Sequence, residues 1–253
     1  MHSLRDRLKN GEFVFGTWCL IPSPYTIDVL AKAGLDFVLI DMEHGPMDFT
    51  LSQNMIMAAE ANGCEAIVRV GKNDEYDILR ALDMRPSGII VPHIEGVKQR
   101  EQAISYIKYP PKGCRGYSPY TRSGGYSPSQ DYTNNENKRI LSGIIIEGNE
   151  GIKNIEKIID DTELDIVYVG TYDISCSLGI PGDVNNKKVI HLLETCVKSI
   201  LDSGKIAGGL FRSSDELNYF KKIGVQLLAY KVDSSVLYDG FSILNNWREG
   251  NLK

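Results

Sequence analysis

Apolar residues gather in short runs at fairly even spacing along the chain, at 14–18, 37–40, 66–70, 88–91, 143–146, 166–169, 207–211 and 227–230. Each run is too short for a helix and leans on β-branched or aromatic residues, so each predicts a buried strand. Between most of them the apolar positions recur at helical spacing, at 25–33, 51–61, 75–82, 97–107, 152–159, 189–201 and 214–223. The last of these opens on Ser213-Ser214-Asp215-Glu216, a good capping signal. Strands that alternate with helices predict parallel pairing with crossover helices. Eight such units predict a single-domain (β/α)8 TIM barrel over 1–253; a doubly wound open sheet is the rival, and the count of eight favours the barrel.

One segment breaks the rhythm. Residues 109–138 are rich in Pro, Gly, Ser, Tyr and Asn and show no periodicity, which predicts a long irregular loop with a functional role. The first nine residues predict an amphipathic, charged helix start without an apolar signal core.

The polar residues fall at one end of the predicted strands. Strand 2 stops in Asp41, Glu43 and His44, strand 3 carries Arg69 near its end, and strand 4 ends in Pro92-His93. Strand 5 ends in Glu147, strand 6 is followed by Thr171-Tyr172-Asp173, and strand 8 ends in Lys231-Val232-Asp233. In a barrel the chemistry sits at this C-terminal rim. Each residue also has a plainer reading. A carboxylate after a strand can cap the next helix, as Asp173 could, and Arg69 could pair with Asp41 or Glu43. Together, carboxylates from neighbouring strands suit a hard divalent cation that keeps waters and substrate in its shell; zinc fits worse, because no His or Cys accompanies Glu147 or Asp173. His93 reads as shaping the pocket rather than reacting, and His44 as a base whose neighbouring carboxylates favour its charged form.

Composition narrows the class. A net charge of −5 supplies no basic footprint for nucleic acid. No apolar run approaches the roughly 20 residues of a membrane span. The five cysteines are odd in number and scattered, with no CxxC pair, which predicts reduced thiols in a cytoplasm.

At the rim residues the chain resembles the HpcH/HpaI aldolase family of metal-dependent class II pyruvate aldolases. Gly16-Thr17-Trp18, the segment from Ala33 to His44, Val68-Arg69-Val70, Leu82-Asp83, Gly88 to Pro92, Tyr109-Pro110-Pro111-Lys112-Gly113-Cys114-Arg115-Gly116, Ile146-Glu147, Gly170 to Ser175 and Val232-Asp233 carry the resemblance across nearly the whole chain. It implies His44 as general base, Asp41 and Asp83 as the acids that tune it, and Arg69 as the group that stabilises an enolate. It also implies Glu147 and Asp173 as ligands of Mg2+, Mn2+ or Co2+, Tyr172 as a backbone contact to the substrate carboxylate, and a homo-oligomer, a hexamer built as a trimer of dimers. Two positions depart from the pattern: Ile145 stands where many members have Gln, and Lys231 where a small residue is usual. Lys231 could contact an acidic group of the substrate or form an outward ion pair.

The reaction implied is reversible cleavage of a 4-hydroxy-2-oxo acid to pyruvate, or a close 2-oxo acid, and an aldehyde. The aldehyde is expected to be chosen by the 109–138 loop, with Tyr117, Tyr120, Arg122 and Tyr126 as candidates, and by a neighbouring subunit. Three rivals stand beside it: a Schiff-base aldolase using Lys231, a lyase for a malyl- or citramalyl-CoA thioester, and a non-catalytic barrel that binds a keto acid.

Overall fold

The computed structural model describes residues 3–248, in which all eight runs form one closed parallel barrel in sequence order. The strands are β1 (Val14–Cys19), β2 (Phe37–Asp41), β3 (Glu65–Arg69), β4 (Gly88–Val91), β5 (Leu141–Ile146), β6 (Ile166–Val169), β7 (Ile206–Phe211) and β8 (Leu227–Val232). The helices are α1 (Leu4–Lys9), α2 (Pro24–Lys32), α3 (Phe49–Ala61), α4 (Glu75–Asp83), α5 (Val97–Ile107), α6 (Tyr132–Arg139), α7 (Asn149–Lys153), α8 (Ile155–Ile158), α9 (Thr171–Ser177), α10 (Lys187–Asp202), α11 (Ser214–Ile223) and α12 (Asp233–Arg248). Residues 1 and 2 of the predicted N-terminal helix lie outside the described residues.

Polar caps start the crossover helices where short side chains can reach freed backbone amides. Ser23 accepts from Thr26 ahead of Pro24, Asp48 from Leu51, Asp74 from Tyr76 and Asp77, and Ser213 from Glu216. Two stretches differ from expectation. The helix predicted over 152–159 is two short helices meeting at Asn154. The end of the 109–138 segment is helical as α6, a polar stretch with no apolar stripe of its own. Tertiary contacts hold it: Glu136 and Asn137 are buried, and Asn137 hydrogen-bonds both the N–H and the C=O of Tyr109.

Strand residues alternate between two cores. Val38 and Ile40, Ala66 and Val68, Ile89 and Val91, Ile144 and Ile146, and Val167 and Val169 face the helices. Their neighbours Phe37 and Leu39, Ile67, Ile90, Leu141 and Ile145, and Ile166 and Tyr168 fill the barrel. This period of two has a consequence at the rim. Continuing the inward series by one step gives Asp41 after Leu39, Arg69 after Ile67, and Glu147 after Ile145. Those polar residues therefore enter the barrel mouth on the same faces whose lower positions build its floor. Close packing there requires glycine: a Cβ on Gly208 would lie 2.6 Å from the Tyr168 ring.

Candidate active site

The C-terminal ends of the strands surround a cavity of about 290 Å3, lined by Trp18, Leu20, Asp41, His44, Arg69, Ile145, Glu147, Tyr168, the segment from Val169 to Asp173, Leu210 and Val232. Its floor is set by Trp18 and Tyr168. The Trp18 indole N–H donates to the Tyr168 hydroxyl at 2.8 Å, and the rings meet edge-on with centroids 5.3 Å apart. Burial pushes the Tyr168 phenol well up, so it stays neutral.

One wall is a charge ladder. Arg69 grips Asp41 through two hydrogen bonds, Nε at 2.8 Å and Nη2 at 2.5 Å, and stacks over the Trp18 ring at 4.5 Å. Burial works against the Arg69 cation, but the hydrogen bond and charge of Asp41 outweigh it and raise its pKa. The same Asp41 oxygen that takes the Arg69 Nε–H also accepts the backbone N–H of Glu43 and of His44, at 3.0 and 3.3 Å. Asp41 thus reaches His44 through its backbone amide, in a turn of the kind Asp favours, and its carboxylate is committed to Arg69. Glu43 Oε2 stands 3.0 Å from Arg69 Nη1 as a charge contact without hydrogen-bond geometry.

Across the cavity Glu147 and Asp173 form a carboxylate pair. Gly170 lies between them: a Cβ there would stand 3.0 Å from Glu147 Cβ and 3.5 Å from Asp173 Oδ2, so any side chain would crowd the space the two carboxylates share. Burial raises the Glu147 pKa; His93 opposes this, and the Asp173 charge adds to the rise. Asp173 has no ion-pair partner among the described residues. Two carboxylates facing shared space, with Glu147 paired to His93 through Oε1 alone, fit a hard divalent cation. No group of three or more His, Cys, Asp and Glu poised to hold a metal occurs among the described residues. A cation at this pair would therefore need water and substrate oxygens to complete its shell, the habit of Mg2+ or Mn2+ rather than of structural zinc.

The other expected residues divide. His44 reaches the cavity rim, exposed, and its imidazole makes no hydrogen bond among the described residues. Thr171, Tyr172 and Asp173 open α9, whose first amides have no side-chain cap. Ile145 lines the cavity and offers no hydrogen bond where an amide side chain was the expected pattern. Asp83 is away from the cavity, 3.3 Å from Arg115 Nη2, and burial raises its pKa against the pull of Arg115.

Lys231 also leaves the site. A regular β8 would turn it inward after Leu227 and Ala229, but the β1–β8 register shifts between Gly16 and Trp18, and Lys231 takes a φ of 48°. Val232 enters the cavity instead, and the Lys231 ammonium pairs with Asp239 at 2.6 Å. The 109–138 loop places Tyr117, Tyr120, Arg122 and Tyr126 away from this cavity; Arg122 ties to Glu60 and to the Met84 carbonyl. Leu20, Tyr168 and Leu210 were missed in the sequence. The inward alternation of β6 and β7 could have supplied Tyr168 and Leu210.

A closed parallel barrel thus gathers an arginine, a histidine and two carboxylates at its C-terminal rim. The chain belongs to the HpcH/HpaI aldolase/citrate lyase family, whose model matches residues 15–239, and it is a carbon–carbon lyase. It is 29% identical over 252 residues to a hydroxypyruvate/pyruvate aldolase from Roseobacter denitrificans, covering 99% of this chain and 98% of that one. It is 31% identical to a 5-keto-4-deoxy-D-glucarate aldolase from Klebsiella pneumoniae, with 93% and 92% of the two chains covered. Among solved structures, citrate synthase SbnG is similar at a TM-score of 0.89 and 31% identity, over 99% of both chains. Among the described residues no helix is long and apolar enough to cross a membrane.

Proposed function

We propose that the protein cleaves 4-hydroxy-2-oxo acids reversibly to pyruvate, or a close 2-oxo acid, and an aldehyde, with a divalent cation held by Glu147 and Asp173. The observation that carries this reading is the meeting of Arg69, His44 and the Glu147–Asp173 carboxylate pair in one cavity. When bound there, Mg2+, Mn2+ or Co2+ supplies Lewis acidity at the 2-oxo group. The backbone amides at Tyr172 and Asp173 receive the substrate carboxylate. His44 takes the proton of the 4-hydroxyl. The C3–C4 bond breaks, its electron pair becomes the enolate of the 2-oxo acid, and the former 4-hydroxyl carbon leaves as the aldehyde. Arg69, already fixed by Asp41, opposes the enolate charge with its remaining N–H groups, a preorganised contact of the kind that usually dominates such rates. The proton returns to C3. Asp83, outside the cavity of its own chain, and Lys231, turned outward, are assigned no step.

Chelation of the purified protein tests this directly. Cleavage is expected to vanish in chelator and to return with Mg2+, Mn2+ or Co2+; activity that survives complete metal removal overturns it. A second reading is a carbon–carbon lyase that acts on a CoA thioester, in a family whose model takes in citrate lyases as well as aldolases. Cleavage of a malyl- or citramalyl-CoA, with none of a 4-hydroxy-2-oxo acid, would select it. A barrel that only binds a keto acid would fail to decarboxylate oxaloacetate in the presence of metal.

We infer homo-oligomerisation, which the exposed apolar residues of α12 support. Leu237, Phe241 and Trp247 are exposed there, and Leu237 and Phe241 share an apolar groove with Tyr25 and Val29 of α2. A second copy of the chain is the proposed cover, within a trimer of dimers. Light scattering that finds a monomer would refute it. The five free thiols suit a reducing cytoplasm as the compartment.

A further inference from the structure

His93 stands at the end of β4 and was expected only to shape the pocket. Its geometry does more. Its φ of 58° is left-handed, a region that His tolerates better than most side chains. That turn brings two of its atoms onto one carboxylate oxygen: the backbone N–H lies 2.7 Å and the ring Nδ1 2.8 Å from Glu147 Oε1. The other ring nitrogen, Nε2, lies 2.8 Å from Glu43 Oε1. Glu43 in turn faces Arg69 at 3.0 Å.

The result is an unbroken chain of alternating carboxylate and base, Asp41–Arg69–Glu43–His93–Glu147, across the barrel mouth. It joins the arm that holds Arg69 to the arm that holds Glu147. It also divides the labour of the Glu147 carboxylate. Oε1 accepts the His93 backbone N–H and meets the ring Nδ1 as a charge contact, whereas Oε2 makes no hydrogen bond among the described residues and remains for the space shared with Asp173. Holding one oxygen fixes the plane in which the other is offered, and groups that orient a metal ligand in this way typically change affinity ten- to a hundredfold when removed.

We propose that His93 is a positioning residue that, braced by Glu43, orients Glu147 for the divalent cation and couples its placement to that of Arg69. This rests on the metal-dependent reading above and adds to it a job for Glu43 and His93. Neither residue contacts substrate in this scheme.

The test is Mn2+ binding, read from the loss of the free-ion electron paramagnetic resonance signal in the intact protein. His93→Asn is the informative variant, because Asn accepts the left-handed backbone and keeps the N–H while removing the ring's reach. The ring is 65% exposed, so its loss leaves no buried void. The Mn2+ dissociation constant is expected to rise about tenfold or more in His93→Asn and by a smaller factor in Glu43→Gln. The double variant should be no worse than His93→Asn, since both changes cut the same link. Unchanged Mn2+ affinity in both single variants, with binding lost in Glu147→Gln, overturns the inference and leaves the metal reading standing. A wild-type protein that binds no Mn2+ overturns both. Glu43→Gln also serves as the independent variant if His93→Asn does not fold.

Discussion

Two clusters of buried charge sit on this barrel, and they differ in what the charges face. At the rim, Arg69, Asp41, Glu43, His93 and Glu147 form a ladder whose last members look into open space beside Asp173. On the flank, Arg115, Asp83, Glu136 and Arg139 face one another under the loop after α5, and Lys108 is buried on the Asn137 carbonyl next in sequence to Glu136. Arg115 is fully buried, stacks over Tyr109 at 4.4 Å and reaches Asp83 and Ser123 at 3.3 and 3.2 Å. Arg139 clasps Glu136 through two bonds of 2.7 and 2.6 Å, and burial, which pushes the Glu136 carboxyl up, is outweighed so that its pKa falls. Both clusters meet the cost of burying charge by pairing it. Only the rim sets two carboxylates, Glu147 and Asp173, on an open cavity beside an arginine, so that a cation can use the pair and Arg69 can oppose the charge of an enolate. The tyrosine-rich segment that carries Arg115 is as distinctive in sequence as the segment around His44, yet within its own chain it locks helices together.

Glu147→Gln should produce the largest separation between the two clusters. The amide keeps the volume and can still accept from the His93 backbone, so the thermal midpoint should stay near the wild type. Cleavage of the 4-hydroxy-2-oxo acid should fall by about a thousandfold, the scale of losing a preorganised electrostatic contact. A large drop in melting temperature instead would make the rim a structural cluster like the flank and dissolve the contrast.

Arg115→Met should do the reverse. It takes the Arg115 cation from half-buried Asp83 and buried Glu136, so the cost should approach but not exceed the roughly 3–5 kcal/mol of breaking a fully buried pair. Urea denaturation should show that loss, while kcat of the folded protein should remain within about twofold, since neither Arg115 nor Asp83 lines the cavity. A collapse of kcat in protein that is still folded would sharpen the comparison differently, by placing Asp83 in the site of a neighbouring copy.

A smaller effect separates the clusters by pH. Lys108 is buried, its ammonium donates to the Asn137 carbonyl at 2.9 Å, and burial lowers its pKa from 10.5 to about 8. Between those values the unfolded chain binds more protons than the folded one, so stability should increase as pH rises from about 8 towards 10.5. The gain attributable to this one group is on the order of 2 kcal/mol. Denaturation of wild type against Lys108→Met across that range isolates it, because titrations shared by both proteins cancel. Parallel curves for the two proteins would mean that Lys108 holds its proton in the fold.

The smallest expected effect comes from Lys231→Ala, and it also shows where reading the sequence succeeds and fails. Strands and helices with a clean period fell where expected: β4 and β6 match the runs at 88–91 and 166–169, and α5 and α11 match 97–107 and 214–223. Asp41, Arg69 and Glu147 were legible at the rim because each continues an inward series of apolar residues. Lys231 continues such a series too, after Leu227 and Ala229, and the same logic would send it inward. What overrides it is a register shift against β1 with Lys231 at positive φ, a local backbone event that alternation cannot register. The bridge made by His93 escaped for the same reason, since a positive φ after Pro92 turns its ring towards partners just past the ends of β2 and β5. Lys231→Ala should therefore leave kcat/KM within about twofold of wild type, because the ammonium is spent on exposed Asp239, where ion pairs contribute little. Borohydride added with pyruvate should trap no adduct on the wild-type chain. A trapped adduct that disappears in Lys231→Ala would mean that the β8 backbone turns Lys231 back into the barrel and that a Schiff base, not the carboxylate pair, carries the chemistry.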